Sequence, residues 1–336
     1  MSFSRKSLEL DAVQETGRLV RFIQQIVRQS LRRGGVVGIS GGVDSAVVLA
    51  LTVRALGPRN VVAVMMPDKD SDPLSETYAR ELAAKFGVEP VLESITPALA
   101  GFECYARRDA AIRRLFPEFN SEQGWKAKIV LPQDLLQGGT LNVFSVTVVA
   151  PDGGVQTRPL RPREMLEIVA ATNLKQRSRM ATLYYHAEAR QFAVIGTANR
   201  NEYAQGFFVK YGDGGADLQP IAHLYKTQVY QIARYLDVPK SIQRRTPTTD
   251  TYSAPCDQQE FFFRLPFHTL DLLWFALDHA VPVAEAAAVM GLTEAEVQRV
   301  FDDIHRKQHT TQFLRLQPPI PEPLLYEPQT ARTDGD

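Results

Sequence analysis

The run SGGVDS at residues 40–45 has the residue types and the spacing of a phosphate-binding turn. Its two glycines let the backbone approach an anion closely, because no Cβ atom blocks the way. An apolar run ending at Ile39 precedes the turn and a helix-forming run beginning at Ala46 follows it, so unpaired N–H groups converge there. The flanking serines add hydroxyl donors, and Asp44 adds a carboxylate suited to a phosphate-bound Mg²⁺. The alternative is a plain glycine turn with a serine helix cap.

A second block of polar and glycine-rich segments follows much later in the chain. It reads NLKQRSRM at 173–180, IGTANRNE at 195–202, GFFVKYGDGGAD at 206–217, PI at 220–221 and LYKT at 224–227. Together with the SGGVDS turn, these segments resemble the NAD synthetase family of N-type ATP pyrophosphatases. The resemblance extends from about Val20 to Thr248, and several motifs in the right order are far more specific than one. A kinase or GTPase is disfavoured, because no Gly-Lys-Ser/Thr follows the glycines.

The resemblance implies a reaction as well as a family. It implies ATP-dependent amidation of nicotinic acid adenine dinucleotide to NAD, with ammonia as the nitrogen donor. A carboxylate is a poor electrophile, so it must first attack the α-phosphate of ATP, which releases pyrophosphate and forms an acyl-adenylate. Ammonia then displaces AMP. The protein must therefore neutralise phosphate charge at two moments of the reaction.

Residue roles follow from the same resemblance. Mg²⁺ is expected on Asp44 and Glu202, and Lys226 is expected to place a fixed positive charge on the phosphates during catalysis. For Lys226 alone, the other interpretation is a surface lysine at the start of a helix. The residues expected to bind ATP are Gly38, Ile39, Ser40, Gly41, Gly42, Val43, Asp44, Ser45, Thr197, Lys226 and Thr248.

For the dinucleotide acid, the resemblance points to Arg177, Lys210 and Asp217 as substrate-binding residues. Arg177 offers a planar fork for a phosphate or a carboxylate. Phe207 follows a glycine, so its ring either stacks on an aromatic group of the substrate or packs in the core. Asp213, in a glycine-rich turn, is positioned to bind ammonium and accept its proton as a catalytic base. The other interpretation of Asp213 is a carboxylate that hydrogen-bonds its own turn.

Alternating strands and helices are predicted to position these residues. Apolar positions from Leu19 to Leu31 repeat at helical spacing, and Gly34-Gly35 is expected to end that helix. The alternation of strands and helices that follows predicts an α/β fold with a doubly wound parallel sheet. The resemblance implies the adenine nucleotide alpha hydrolase-like form of this fold. The predicted strands are 36–39, 61–66, 91–95 and 192–195, and the predicted helices between them are 46–51, 74–86 and 180–190.

Ligands of such a sheet bind at the carboxyl ends of the strands, so Ser40, Met66 and Gly196 are expected to line one crevice. The alternation breaks between residues 96 and 171, which predicts an inserted subdomain. Its β-hairpin is expected to pair residues 141–150 with 155–160 across a Pro-Asp-Gly-Gly turn.

Residues 1–316 are thus expected to form one family domain that carries this insertion and ends in a helical region. Residues 317–336 are expected to form a proline-rich, lightly ordered tail.

Composition restricts the function classes further. The 336 residues are 44% hydrophobic, and Lys+Arg equals Asp+Glu at 38 each, so no overall basic charge recruits nucleic acid. Cys104 and Cys256 lie far apart and predict neither a zinc site nor a disulfide framework. No long apolar run suggests a membrane span, so a cytoplasmic location is expected. The amphipathic N-terminal helix and the resemblance both suggest a homodimer.

Three departures from the family pattern keep two other functions open. The insertion lengthens the chain, the segment from Thr251 to Phe263 differs from the commoner closing loop, and the C-terminal basic pair has only a loose candidate in His305-Arg306-Lys307. One alternative is a diverged ATP-dependent amide ligase that acts on a different carboxylic acid. The other is a non-catalytic ATP-binding regulator. No glutaminase pattern of Cys, His and an acid is recognisable, so free ammonium is the expected nitrogen source.

Overall fold

Short apolar runs rich in valine form three strands of the protein, Gly35–Gly38, Val61–Met65 and Ala193–Ile195, because β-branched side chains suit buried strands. The computed structural model describes residues 3–131, 135–136, 144–248 and 251–321. The strands in these ranges are β1 (Gly35–Gly38), β2 (Val61–Met65), β3 (Pro90–Leu92), β4 (Lys126–Val130), β5 (Ser145–Val149), β6 (Val155–Pro159) and β7 (Ala193–Ile195).

The helices alternate with these strands in the first half of the chain and follow one another in the second half. None of those described is both long and apolar enough to cross a bilayer. Their bounds are α1 (Ala12–Gln29), α2 (Val43–Leu56), α3 (Pro73–Lys85), α4 (Thr96–Gly101), α5 (Cys104–Arg113), α6 (Pro162–Glu188), α7 (Arg200–Gln205), α8 (Lys226–Tyr235), α9 (Lys240–Arg244), α10 (Phe267–Asp278), α11 (Val283–Met290), α12 (Glu294–Thr310) and α13 (Gln312–Arg315).

A parallel sheet of order β3-β2-β1-β7 forms the centre of the fold. Successive side chains of a strand point to opposite faces. Val37 of β1 accordingly packs with Leu19 of α1 and Val47 of α2, whereas Val36 packs with Ala187 of α6. Helices therefore cover both faces, as predicted for a doubly wound α/β sheet.

A second sheet, β4-β5-β6, is antiparallel and lies within the region predicted to be inserted. The predicted hairpin is confirmed as β5 and β6, although residues 141–143 of its first predicted strand lie outside the described residues. β4 adds a third strand that we did not predict. The apolar face of this sheet packs on Phe116, on Ile168 of α6 and on Tyr252 of the segment 251–263.

A buried network of charged side chains also joins the two regions. Lys175 of α6 donates to Asp70 at 2.8 Å, and Arg108 of α5 contacts the same carboxylate oxygen at 2.5 Å. Arg108 also donates to Asp109 at 2.8 Å, and only 2% of its side chain is exposed. Each buried cation here thus has carboxylate partners, which buried charges require.

The C-terminal region is helical, as predicted. Helices α10, α11 and α12 pack around the fully buried Trp274. Residues 317–321 have no regular secondary structure, and the remainder of the predicted tail lies outside the described residues.

Most element bounds differ from the prediction. The largest differences are in α2, which spans Val43–Leu56 against a prediction of 46–51, and in α6, which spans Pro162–Glu188 against a prediction of 180–190. Helix α1 ends at Gln29, because Leu31 has a left-handed backbone (φ 54°) that no α-helix continues through, and Gly35 belongs to β1. Helix α6 begins at Pro162, a residue suited to the first turn, so the predicted end of the insertion at 171 falls inside one continuous helix. β3 ends at Leu92, three residues earlier than predicted.

Candidate active site

The carboxyl ends of β1, β2 and β7 open into one cavity of about 890 Å³. Ser40, Met66 and Gly196 all line it, as predicted from strand topology. Seven of the eight residues from Gly38 to Ser45 also line this cavity, Gly41 being the exception. Thr197, Thr248 and Lys226 line it as well, so the residues expected to bind ATP are brought together.

The phosphate turn has the backbone geometry that its glycines allow. Gly41 has φ +73°, and a Cβ atom at this position would lie 2.6 Å from the carbonyl oxygen of Ser75. Gly42 is the N-cap of α2 and has no side chain to occupy the free N–H groups of the first helical turn. The Ser45 hydroxyl donates to the Gly42 carbonyl at 3.0 Å, which ties the turn to the helix. The result is an open helix N-terminus that favours an anion.

Arg245, which the sequence analysis did not single out, braces this turn. Its guanidinium donates to the Ser75 hydroxyl at 2.8 Å and the Asp72 carboxylate at 3.2 Å, both at the start of α3. It also donates to the Gly41 carbonyl at 3.4 Å. Since the carbonyl and the N–H of a planar peptide point in opposite directions, this contact helps to orient the N–H of Gly42. Arg245 therefore holds the turn against α3.

A buried ion pair forms the charged end of the cavity. The Lys226 ammonium donates to Asp44 Oδ2 at 2.5 Å, and the Asn199 amide donates to Asp44 Oδ1 at 2.8 Å. Only 1% of the Lys226 side chain is exposed. Burial alone would lower the pKa of Lys226, but the charges of Asp44 and Glu202 outweigh it and raise the pKa above its ordinary value. Lys226 thus stays charged and is not the surface lysine of the alternative interpretation.

Glu202 lies at the start of α7, beside this pair. One carboxylate oxygen accepts from the backbone N–H of Asn199 at 3.2 Å in a capping box, and the other accepts from the Gln258 amide at 3.1 Å. Burial, followed by the negative charge of Asp44, raises the pKa of Glu202 above its usual range. Two neighbouring carboxylates form a natural place for a cation.

Asp213 hydrogen-bonds its own turn, as one interpretation predicts, and its side chain also faces the cavity, as a base for ammonium would have to. Its carboxylate accepts a hydrogen bond from the Val209 N–H of its own turn at 2.7 Å. The side chain also lines the cavity, where it is solvent-accessible but surrounded by protein. This desolvation raises the pKa of Asp213 to about 6, closer to neutrality than an ordinary aspartate.

Phe207 packs with other aromatic side chains, as one interpretation predicts, and it is also accessible from the cavity. It lines the cavity and packs against Phe262 with ring centroids 4.9 Å apart.

Three predicted substrate residues do not line the cavity. Arg177 is exposed on α6, whereas its neighbours Gln176 and Arg179 face the cavity. The Lys210 ammonium donates to the carbonyls of Phe313 and Leu316 at 2.9 and 2.8 Å. The Asp217 carboxylate accepts from the Val194 N–H at 2.8 Å and the Tyr184 hydroxyl at 3.1 Å.

His305, Arg306 and Lys307, the candidates for the C-terminal basic pair, do not line the cavity either. Lys307 donates to the Phe262 carbonyl at 2.7 Å and forms an ion pair with Asp303 at 2.8 Å.

Asn199, Gln258 and Arg245 are the site residues that the sequence analysis missed. The sequence does indicate a position for Asn199, because Asn followed three residues later by Glu, here Glu202, is typical of the start of a helix. Gln258 and Arg245 come from irregular or short segments whose spatial partners are about 56 and 170 residues away in sequence. No local pattern indicates such contacts.

The chain was compared with known protein families and structures. The sequence model of the family described as NAD synthase matches residues 15–124 and 150–313. The gap at 125–149 contains β4 and β5 of the small sheet. An NH(3)-dependent NAD(+) synthetase from Rhizobium meliloti is 46% identical over 322 residues, which cover 96% of each chain. One from Thermotoga maritima is 37% identical over 260 residues, which cover 77% of this chain and 85% of the relative.

A solved structure shares the fold. The NH3-dependent NAD synthetase from Campylobacter jejuni superposes with a TM-score of 0.61 at 23% identity, over 94% of this chain and all of that one. The cavity at the strand ends, the phosphate turn and the buried Asp44–Lys226 pair thus occur in a chain whose sequence and fold both match one family. This chain belongs to the NAD synthase family.

Proposed function

We propose that the protein catalyses the ATP-dependent amidation of nicotinic acid adenine dinucleotide by ammonia, which yields NAD, AMP and pyrophosphate. The observation that carries this proposal is the single cavity that joins the phosphate turn to Asp44, Lys226 and Glu202. The relatives named NH(3)-dependent NAD(+) synthetase, at up to 47% identity, support the choice of acid and of nitrogen donor. ATP is the co-substrate, and we place the reaction in the cytoplasm, where ATP is made and used.

The first half-reaction needs a site that holds a triphosphate and stabilises departing pyrophosphate. A carboxylate oxygen of the acid forms a bond to the α-phosphorus, and the bond from that phosphorus to the bridging oxygen of pyrophosphate breaks. The N–H groups at the start of α2 bind phosphate oxygens, and the Lys226 ammonium offsets the charge that develops on the leaving group. The braced turn keeps these donors in place before the nucleotide binds.

The donor set at this end of the cavity fits Mg²⁺. Asp44 and Glu202 supply hard carboxylate oxygens. Burial and then the charge of Asp44 raise the pKa of Glu202, and a bound cation would favour its ionised form. No cluster of three or more His, Cys, Asp or Glu residues occurs in the described part of the chain. Mg²⁺ commonly uses one or two protein carboxylates and takes its other ligands from phosphates and water. When bound, it would neutralise phosphate charge.

The second half-reaction needs neutral ammonia near the acyl carbon. Ammonium carries the nitrogen at neutral pH, so a group that accepts its proton is useful. We assign this role to Asp213, which is exposed to the cavity and whose pKa the surrounding protein raises to about 6 by desolvation. The nitrogen of ammonia then bonds to the acyl carbon, and the bond from that carbon to the oxygen of AMP breaks.

Arg177, Lys210 and Asp217 remain our candidates for the dinucleotide acid, together with Phe207. Because Arg177 is exposed and directed away from the cavity of its own subunit, we propose that a second copy of the chain completes the acid site. Leu166 and Tyr185, exposed at 63% and 66% on the same helix, supply apolar surface for a homodimer contact. Light scattering should therefore give twice the chain mass of 37.5 kDa.

The products test the proposal directly. With the dinucleotide acid, ATP, Mg²⁺ and ammonium chloride, the purified protein should form AMP, pyrophosphate and NAD in equal amounts. Chromatography of the nucleotides checks this result. Nicotinic acid mononucleotide serves as a competing acid, and a preference for it would indicate a diverged amide ligase. Formation of ADP and phosphate, or ATP binding without turnover of any acid, would overturn the proposal.

Arg245 provides a test of the phosphate turn. Arg245→Ala should raise the KM for ATP about tenfold while changing the KM for the acid little, because the lost hydrogen bonds position only the phosphate turn. Arg244→Ala is the matched control, because Arg244 is the preceding residue and its side chain is exposed. Initial-rate kinetics with each substrate varied in turn measure the split. Equal changes in both KM values would refute a specific bracing role.

A further inference from the structure

The small sheet and the segment 251–263 together form one wall of the cavity. The Ala127 N–H of β4 donates to the Ser253 hydroxyl at 3.0 Å, and the Ala254 N–H donates back to the Ala127 carbonyl at 3.1 Å. Cys256 adds a contact from its thiol to the Ile129 carbonyl at 3.7 Å. The segment that departs from the commoner family pattern is thus held along the edge of β4, which the family model does not match.

Aromatic side chains cover the inner face of this wall. Phe144, which precedes β5, lies 6.5 Å from Phe261 between ring centroids. Phe261 also contacts Tyr252 at 5.4 Å and Phe207 at 5.7 Å. All four residues line the cavity, as does Ile129. We call this set, Ile129, Phe144, Phe207, Tyr252 and Phe261, the aromatic wall.

The aromatic wall adjoins the charged end of the cavity. Gln258 lies three residues before Phe261 and donates to Glu202 at 3.1 Å. Phe207 follows the helix α7 that carries Glu202, and its N–H donates to the Glu202 carbonyl at 2.8 Å. An acyl-adenylate formed at the phosphate turn would therefore lie next to this apolar surface.

On the basis of the proposed function, we propose that the aromatic wall shields the acyl-adenylate from water and that Phe144 limits its hydrolysis. In the unwanted reaction a water oxygen bonds to the acyl carbon, the bond to the oxygen of AMP breaks, and the acid is regenerated with a proton released to solvent. Pyrophosphate has already left, so each such event consumes ATP without forming NAD. Closing the intermediate off from water suppresses this side reaction.

The ratio of pyrophosphate released to NAD formed measures how much of the acyl-adenylate is hydrolysed. At limiting ammonium, Phe144→Ala should raise this ratio at least about twofold over the unmodified protein, because the cavity then admits water. Phe261→Ala, on the segment 251–263, should also raise the ratio of pyrophosphate to NAD. Phe144→Leu, which keeps the wall apolar and filled, should leave the ratio close to that of the unmodified protein.

Val148→Ala is the matched control. Val148 is buried in the same sheet but does not line the cavity, so its truncation loosens the packing without opening the wall. A ratio of one in both alanine variants at Phe144 and Phe261 would overturn the proposal, and so would equal uncoupling by Val148→Ala. If the unmodified protein releases no pyrophosphate with the dinucleotide acid, the proposed function fails instead.

Discussion

Asp44→Asn is expected to lower kcat at least about 100-fold, because it removes one of the two carboxylates proposed to hold Mg²⁺ against the phosphates. The amide keeps the size of the side chain, and the Asn199 contact at 2.8 Å involves only one of the two carboxylate oxygens. The fold should persist but with a lower free energy of unfolding, because the substitution also breaks the buried ion pair with Lys226. AMP formation at increasing Mg²⁺ concentration measures the effect, and the concentration needed for half-maximal rate should rise.

The surface pair of Lys85 and Asp237 provides the control. Its N···O distance of 2.5 Å equals that of Lys226 and Asp44, but 82% of the Asp237 side chain is exposed. Asp237→Asn should leave both kcat and the Mg²⁺ dependence unchanged. Normal turnover of Asp44→Asn at limiting Mg²⁺ would show that the metal is held elsewhere.

Lys226→Met is expected to have a second large effect, on activity and stability together. Without the ammonium, departing pyrophosphate loses a fixed positive charge, so kcat should fall about 100-fold or more. Asp44 and Glu202 are also left without their shared buried cation, and breaking such a pair costs about 3–5 kcal/mol of folding free energy.

The loss of folding free energy in Lys226→Met should increase as the pH rises. The raised pKa of Glu202 means that its contribution to stability is present at acidic pH and is lost as the carboxyl ionises. Removing Lys226 leaves this ionisation uncompensated, so the destabilisation should be larger at alkaline than at mildly acidic pH. Denaturant unfolding at several pH values measures it, with Lys85→Met as the exposed control. A loss that is independent of pH would contradict the assigned charge state.

The position of the phosphate turn at the cavity was predictable because its sequence signals are local. The phosphate turn needs consecutive small residues between a strand and a helix, and chain order alone placed Ser40, Met66 and Gly196 at one sheet edge. The acid end was less predictable. Helix α6 carries apolar residues on more than one face, so its sequence does not show that Gln176 faces the cavity while Arg177 faces away.

The features that the sequence analysis did not predict depend on contacts between residues far apart in the chain. The bracing by Arg245 and the contact of Gln258 with Glu202 both depend on how segments far apart in sequence meet in the fold. The third strand of the small sheet was missed for a similar reason. β4 alternates charged and apolar residues over only four positions, and its partner β5 begins fifteen residues after it ends.

The network of Lys175, Arg108, Asp70 and Asp109 restricts how this chain can be trimmed or recombined. Its cations come from α5 and α6 and its shared anion from the loop after β2, so residues on both sides of the small sheet depend on one another for charge balance. A graft or deletion that keeps one contributor and removes another strands a charge in the interior. Lys175 also pairs with the buried Asp68 at 3.2 Å, so shortened versions of this protein should retain all five residues or lose them together. We therefore expect that the region from α5 to α6 cannot be exchanged as an independent module.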